Sequence, residues 1–174
     1  LYPDMYKAYN NFSATYGISR ENFILTNGCE SALRIAMLAI RPGKLSIECP
    51  TWARVQVECE ALGIPYDFVN YKYKDGIFSP EREVVNDLYT TDTYNNLFQH
   101  DNVIGYSKTI LDETYTSRML FANEKVFNKN TIIIGSFSKT VGAGLRLGYC
   151  IFSNEWTDRF NLLREQYVSA TACE

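Results

Sequence analysis

Residues 131–152 read TIIIGSFSKTVGAGLRLGYCIF, and this stretch constrains the fold more than any other part of the chain. Ile132-Ile133-Ile134 is a run of β-branched apolar residues, which reads as a strand covered on both faces. Gly135 breaks the run into Ser136-Phe137-Ser138-Lys139. A loop with Gly142 and Gly144 then leads to Arg146, and a second apolar run, Leu147 to Phe152, follows at once. Lysine is seldom buried, so one set between two core strands by glycines and hydroxyls stands out. Burial there would lower the pKa of its amine, and the neutral amine is the form that attacks a carbonyl. Arg146 offers a planar fork of donors suited to a phosphate, and the hydroxyls of Ser136 and Ser138 can serve the same anion. For the lysine alone, a snorkelling surface side chain after a core strand is an equally good reading.

Elsewhere the text alternates between strand and helix. Asp4 is placed to cap a helix from Met5 to Tyr16, with Tyr6, Tyr9 and Phe12 on one face and Gly17 ending it. Phe23 to Thr26 reads as a short strand, and Asn27-Gly28 turns into a helix over 29–40 whose apolar positions keep helical spacing. A glycine turn at a helix start presents free N–H groups at the positive end of the dipole, which suits a phosphate. Arg41-Pro42-Gly43 breaks that helix before a strand over Leu45 to Glu48. Pro50-Thr51-Trp52 opens a further helix running to Leu62 and Gly63, and Tyr66 to Val69 is the next strand. Lys74-Asp75-Gly76 has hairpin-turn chemistry. Thr109 to Asp112 is a short apolar strand ending in a carboxylate, where α/β sheets place their ligand sites. After Phe152, Asn154 is placed to cap a helix over 155–172. The alternation argues a three-layer αβα arrangement around a mostly parallel sheet, with helices on both faces.

Composition narrows the function. A net charge of −3 leaves no basic excess, so nucleic acid is a poor partner, and no apolar run has the length of a membrane span. Five cysteines form no C-x-x-C pair and the single histidine, His100, has no cluster of ligands around it, so no metal site is expected. An odd cysteine count with thiols inside apolar segments suits reduced core residues and a cytoplasmic setting.

Ser136-Phe137-Ser138-Lys139 followed by Gly144-Leu145-Arg146-Leu147-Gly148 resembles the active-lysine signature of the class I/II aminotransferases, pyridoxal-phosphate enzymes of fold type I. The loop between lysine and arginine is one residue shorter than the family commonly has, as in its aminoadipate-type branch. Asp112-Glu113-Thr114-Tyr115 resembles the family's Asp-Glu-x-Tyr, and Asn27-Gly28-Cys29-Glu30-Ser31-Ala32 its first phosphate-cradling turn. The resemblance implies that Lys139 carries pyridoxal 5′-phosphate as a Schiff base, that Asp112 pairs with the protonated pyridine nitrogen, and that Tyr115 bonds the phenolic oxygen. It implies that Ser136, Ser138, Arg146 and the backbones of Gly28, Cys29 and Glu30 hold the phosphate, and that Trp52 stacks on the ring. Tyr2, in a Tyr-Pro-Asp similar to that of histidinol-phosphate-type aminotransferases, would reach the phosphate of a partner subunit in a homodimer.

Between residues 79 and 102 the pattern departs from the family, which carries an Asn-Pro-Thr-Gly stretch there. Asn86 stands at a suitable distance to replace the family asparagine, while a surface helix over 83–89 fits the same text. The activity implied is transfer of an amino group between an amino acid and a 2-oxo acid. A decarboxylase or lyase shares every motif, and a non-catalytic cofactor-binding relative stays open through the departure near Asn86. Residues 1–153 would form the large, cofactor-binding domain, with 154–174 starting the helix to a small domain. That domain would supply the arginine for the substrate carboxylate, so the gene product is expected to continue past Glu174.

Overall fold

The computed structural model describes residues 5–74, 77–80, 86–91, 108–122 and 127–167. Among the described residues there are nine strands: β1 (Phe23–Asn27), β2 (Leu45–Glu48), β3 (Tyr66–Val69), β4 (Tyr71–Lys74), β5 (Ile77–Pro80), β6 (Asp87–Thr91), β7 (Thr109–Asp112), β8 (Thr131–Ser136) and β9 (Leu147–Ile151). Helices among the described residues are α1 (Met5–Tyr16), α2 (Gly28–Ile40), α3 (Arg54–Leu62), the single turn α4 (Arg118–Phe121) and α5 (Thr157–Tyr167).

Seven strands form one sheet in the order β1-β9-β8-β7-β6-β2-β3. Every pairing is parallel except those of β9, which runs antiparallel to both β1 and β8. Strand alternation builds the layers: successive side chains point to opposite faces. Ile24, Ile132, Ile134 and Cys150 pack on one face with Ala32, Leu33, Ala36 and Met37 of α2, Val55 of α3 and Phe160 of α5. Phe23, Leu25, Ile133, Tyr149 and Ile151 pack on the other with Tyr9 and Phe12 of α1 and Leu120 of α4. Both faces are covered, which is why the β-branched run of β8 carries no polar alternation. Buried Glu58 ties two helices on the first face, accepting from Arg34 of α2 at 3.0 Å and from Arg54 of α3 at 2.6 Å.

This topology brings the carboxyl ends of β1, β2, β6, β7 and β8 to one edge of the sheet. The start of β9 lies there too, since Asn27 pairs with Leu147 and Ser136 with Gly148. Among the described residues no helix is long and apolar enough to cross a membrane.

Several sequence expectations need correction. Asn86 is not in a surface helix and does not reach the functional edge. It precedes β6 at the amino end, and its amide donates to Ser46 Oγ at 3.4 Å, on the second residue of β2. The length of β6 separates it from the carboxyl edge, roughly 3.3 Å per residue. Asn154 does not cap a long helix. Residues Asn154–Trp156 form a 3-10 turn with Ser153 before it, and the Asn154 side chain accepts from Asn22 Nδ2 at 2.6 Å. The β4–β5 pair has the expected hairpin register, Lys74 opposite Ile77. Tyr2, Asp4 and residues 168–174 lie outside the described residues.

Candidate active site

A cavity of about 580 Å³ opens at the carboxyl edge of the sheet, a size typical of small-molecule sites. Of the sequence-derived candidates, Gly28, Cys29, Glu30, Trp52, Asp112, Tyr115, Ser136, Ser138, Lys139 and Arg146 all line it. Asn86 does not, and Tyr2 lies outside the described residues.

One end is built for an anion. The first turn of α2 opens with Gly28 at φ 74, and Asn27 before it makes no side-chain capping bond. A helix of 13 residues leaves its first N–H groups without intrahelical partners at this end, where the dipole is positive. Arg146 adopts φ 47, a left-handed conformation that turns the chain into β9. Its guanidinium lies against the turn: a Cβ on Gly28 would meet Arg146 Cζ and Nη2 at 3.7 Å. Close approach of β9 to this turn depends on Gly148, where a Cβ would fall 2.5 Å from the carbonyl carbon of Gly28 and 2.6 Å from its oxygen. The hydroxyls of Ser136 and Ser138 are 3.0 Å apart, and Ser138 N–H donates to Ser136 Oγ at 3.1 Å.

The other end is built around a buried carboxylate. Asp112 ends β7 and accepts two short hydrogen bonds, from the Tyr89 hydroxyl to Oδ2 at 2.8 Å and from Thr114 N–H to Oδ1 at 2.9 Å, with the Cys29 thiol a longer third donor. Cys29 joins the two ends. Its backbone belongs to the first turn of α2, its Sγ stands 3.9 Å from both Asp112 oxygens, and the Thr114 hydroxyl donates to it at 2.9 Å. Burial pushes the Cys29 thiol well up, with the charge of Asp112 adding to it, so the thiol is protonated at neutral pH. Burial, then the Asp112 charge and the bond to it, push the Tyr89 phenol up likewise.

The expected burial of Lys139 does not hold. The lysine is exposed, because β8 ends at Ser136 and the chain leaves the sheet in a turn closed by Val141 N–H to Phe137 O at 2.8 Å. Its Nζ sits 5.7 Å from the ring centroid of Tyr115, within cation–π range. Tyr115 and Trp52 are 68% and 41% exposed, so two large aromatic faces are left open at the cavity. Sequence reading passed over Tyr89 and Thr114. Thr114 had a local signal, because an Asp bonding the N–H two residues on is a common turn device. Tyr89 had none before the register of β6 on β7 was known.

The groups present fit pyridoxal phosphate: an Arg146-lined helix start at α2 for a phosphate, a buried anion at Asp112 for a ring nitrogen, and a lysine beside Tyr115 at the same cavity for the aldehyde. No protein-family model and no curated protein matches the chain. Solved structures do. The chain superposes on L-threonine-O-3-phosphate decarboxylase from Porphyromonas gingivalis with a TM-score of 0.69 at 20% identity, over 98% of this chain and 57% of that one. Histidinol-phosphate aminotransferase from Clostridium acetobutylicum gives 0.67 at 14% identity, over 99% and 58%. The PLP-bound C-S lyase from Staphylococcus hominis gives 0.65 at 14%, over 99% and 53%. The fold is that of the large domain of fold type I PLP-dependent enzymes. The chain spans a little over half the length of each of these three proteins.

Proposed function

We propose that the chain is the cofactor-binding part of a pyridoxal-phosphate-dependent aminotransferase, acting on an amino acid and a 2-oxo acid. The observation that carries this reading is the pairing, in one cavity, of an anion cradle with a buried carboxylate, bridged by Cys29 and overlooked by Lys139. Arg146, the serine hydroxyls and the N–H groups of Gly28, Cys29 and Glu30 hold the phosphate and fix the ring in place. Trp52, at the cavity wall, would cover a face of the ring and exclude water from it. Asp112 keeps the ring nitrogen protonated, since an opposite charge at contact favours the charged form by about 1–3 pKa units. When bound, the cofactor supplies an electron sink for the carbanion developing at the substrate α-carbon. Lys139 would be the amine that holds the cofactor aldehyde, and would hold or move a proton at the substrate α-carbon. Its exposed position beside Tyr115 leaves it room for both tasks.

A second reading, decarboxylation or carbon–sulfur lysis on the same residues, is favoured by the decarboxylase and lyase among the superposed structures. The arginine for a substrate carboxylate is proposed to lie outside these residues, and a homodimer to complete the site. Borohydride reduction of the cofactor-loaded protein, followed by peptide mapping, tests the core of the proposal: label belongs on Lys139, and label on another lysine refutes it. Single-turnover spectra with an amino-acid panel separate the reactions. Transamination leaves the pyridoxamine form of the cofactor, whereas decarboxylation releases carbon dioxide.

A further inference from the structure

The two short hydrogen bonds on Asp112 come from different parts of the fold, and the Cys29 thiol adds a longer contact at 3.9 Å to both oxygens. Thr114 N–H is supplied by the turn that follows β7 itself. The Tyr89 hydroxyl comes from the neighbouring strand, where Tyr89 pairs with Ile110, two residues before Asp112 on the same face. The phenol spans that diagonal and places its oxygen 2.8 Å from Oδ2. Tyr89 is wholly buried, and its ring belongs to the α2-side core with Ile110 and Ile132. Packing alone asks only for an apolar side chain at such a site, and a buried hydroxyl is costly without a partner. Here the partner is the carboxylate of the candidate active site.

A carboxylate at a strand end can turn about its side-chain bonds. With Thr114 N–H on Oδ1 and the phenol on Oδ2, both oxygens are held and the plane of the carboxylate is set. Even with the Cys29 thiol 3.9 Å from both oxygens, the carboxylate, with its roughly four acceptor sites, keeps capacity for a further donor. We propose that Tyr89 is a positioning residue: its hydroxyl locks Asp112 in the orientation that presents the carboxylate to a protonated ring nitrogen in the cavity. The inference rests on the reading of the site as a pyridoxal-phosphate site, and goes beyond it by making a core residue of β6 part of the machinery.

Tyr89→Phe removes one oxygen and keeps the ring, so it tests the hydroxyl with little change in packing. In the cofactor-free protein, the 13C carboxyl resonance of Asp112, assigned through Asp112→Asn, is expected to move in Tyr89→Phe. In the loaded protein, pyridoxal phosphate affinity is expected to fall about tenfold or more, the loss typical of a hydrogen bond to a charged group. The resonance of 15N-labelled ring nitrogen should move toward its unprotonated position. In an Asp112→Asn background, Tyr89→Phe should cost little more, because both changes act through one carboxylate. An unmoved Asp112 resonance, unchanged affinity and ring resonance, or equal cost in both backgrounds overturns the inference and leaves the cofactor reading standing. A wild-type protein that takes up no cofactor overturns both.

Discussion

Gly148→Ala probes how the anion cradle is made. A Cβ at this position would lie 2.5 Å from the carbonyl carbon and 2.6 Å from the carbonyl oxygen of Gly28, and 2.8 Å from Thr26 Oγ1. Non-bonded carbon atoms pack at roughly 3.5–4 Å, so β9 and the β1–α2 turn must separate by roughly 1 Å. The nearest atoms are backbone, and no rotamer change relieves the clash. Separation strains the register in which Thr26 pairs with Gly148, and moves the Arg146 guanidinium away from the α2 terminus. Overpacking of this kind costs about 1–3 kcal/mol. For a domain of this size that corresponds to a fall in Tm of about 2–12 °C. Gly43→Ala is the control, because nothing lies within 4 Å of a Cβ there and the expected change is within about 0.5 kcal/mol. Urea denaturation of both variants measures the cost, and a titration with inorganic phosphate or pyridoxal phosphate measures the cradle. Wild-type stability together with wild-type affinity in Gly148→Ala would refute the argument, showing that β9 withdraws from the turn without cost.

Three further outcomes are expected. Asp112→Asn should slow α-proton exchange by about 10- to 1000-fold, the span of the pKa support that a contacting charge provides; isotope exchange at the wild-type rate would remove Asp112 from its proposed role. Stability should decline as pH rises from about 9 toward 11. The Cys59 thiol is pushed up to about 11 by burial, with Glu58 and Glu60 adding to it, so the unfolded chain releases that proton first. Denaturation midpoints at pH 7, 9 and 10.5 check this, and Cys59→Ala should show a smaller alkaline loss. Light scattering on the cofactor-loaded full protein should give a dimer, and a monomer with full cofactor affinity would defeat the proposed shared site.

Local structure was legible wherever a single segment carries its own cause. The 3.6-residue spacing and Gly17 mark out α1, and the apolar face after Asn27-Gly28 marks out α2. Gly63 caps α3 at φ 65, a conformation glycine adopts without strain. The apolar run of β8 ends at a glycine–serine break, and the short strands β2 and β3, Leu-Ser-Ile-Glu and Tyr-Asp-Phe-Val, lie between the breaks marked by Gly43, Pro50, Gly63 and Pro65. Polar text around residue 86 misled, because the strand there has only five residues and its polar ends, Asp87 and Thr91, look like a surface helix. Its burial is decided by β2 and β7 on either side.

The chemistry on hand is written locally in the chain: a lysine after a Ser-x-Ser, an arginine after a glycine loop, a carboxylate at a strand end and a glycine turn into a helix. Each is a local arrangement, written in residues close together in the chain. Which of these groups meet, and how they are held, depends on strand register and helix docking. Asp112 finds Tyr89 23 residues away through strand register, and Cys29 83 residues away through the docking of α2 on the sheet. Arg146 reaches Gly28 because β9 enters the sheet against β1. The exposure of Lys139 was settled in the same way. A strand end is buried or open according to what packs around it, and at this edge the layers part to leave a cavity.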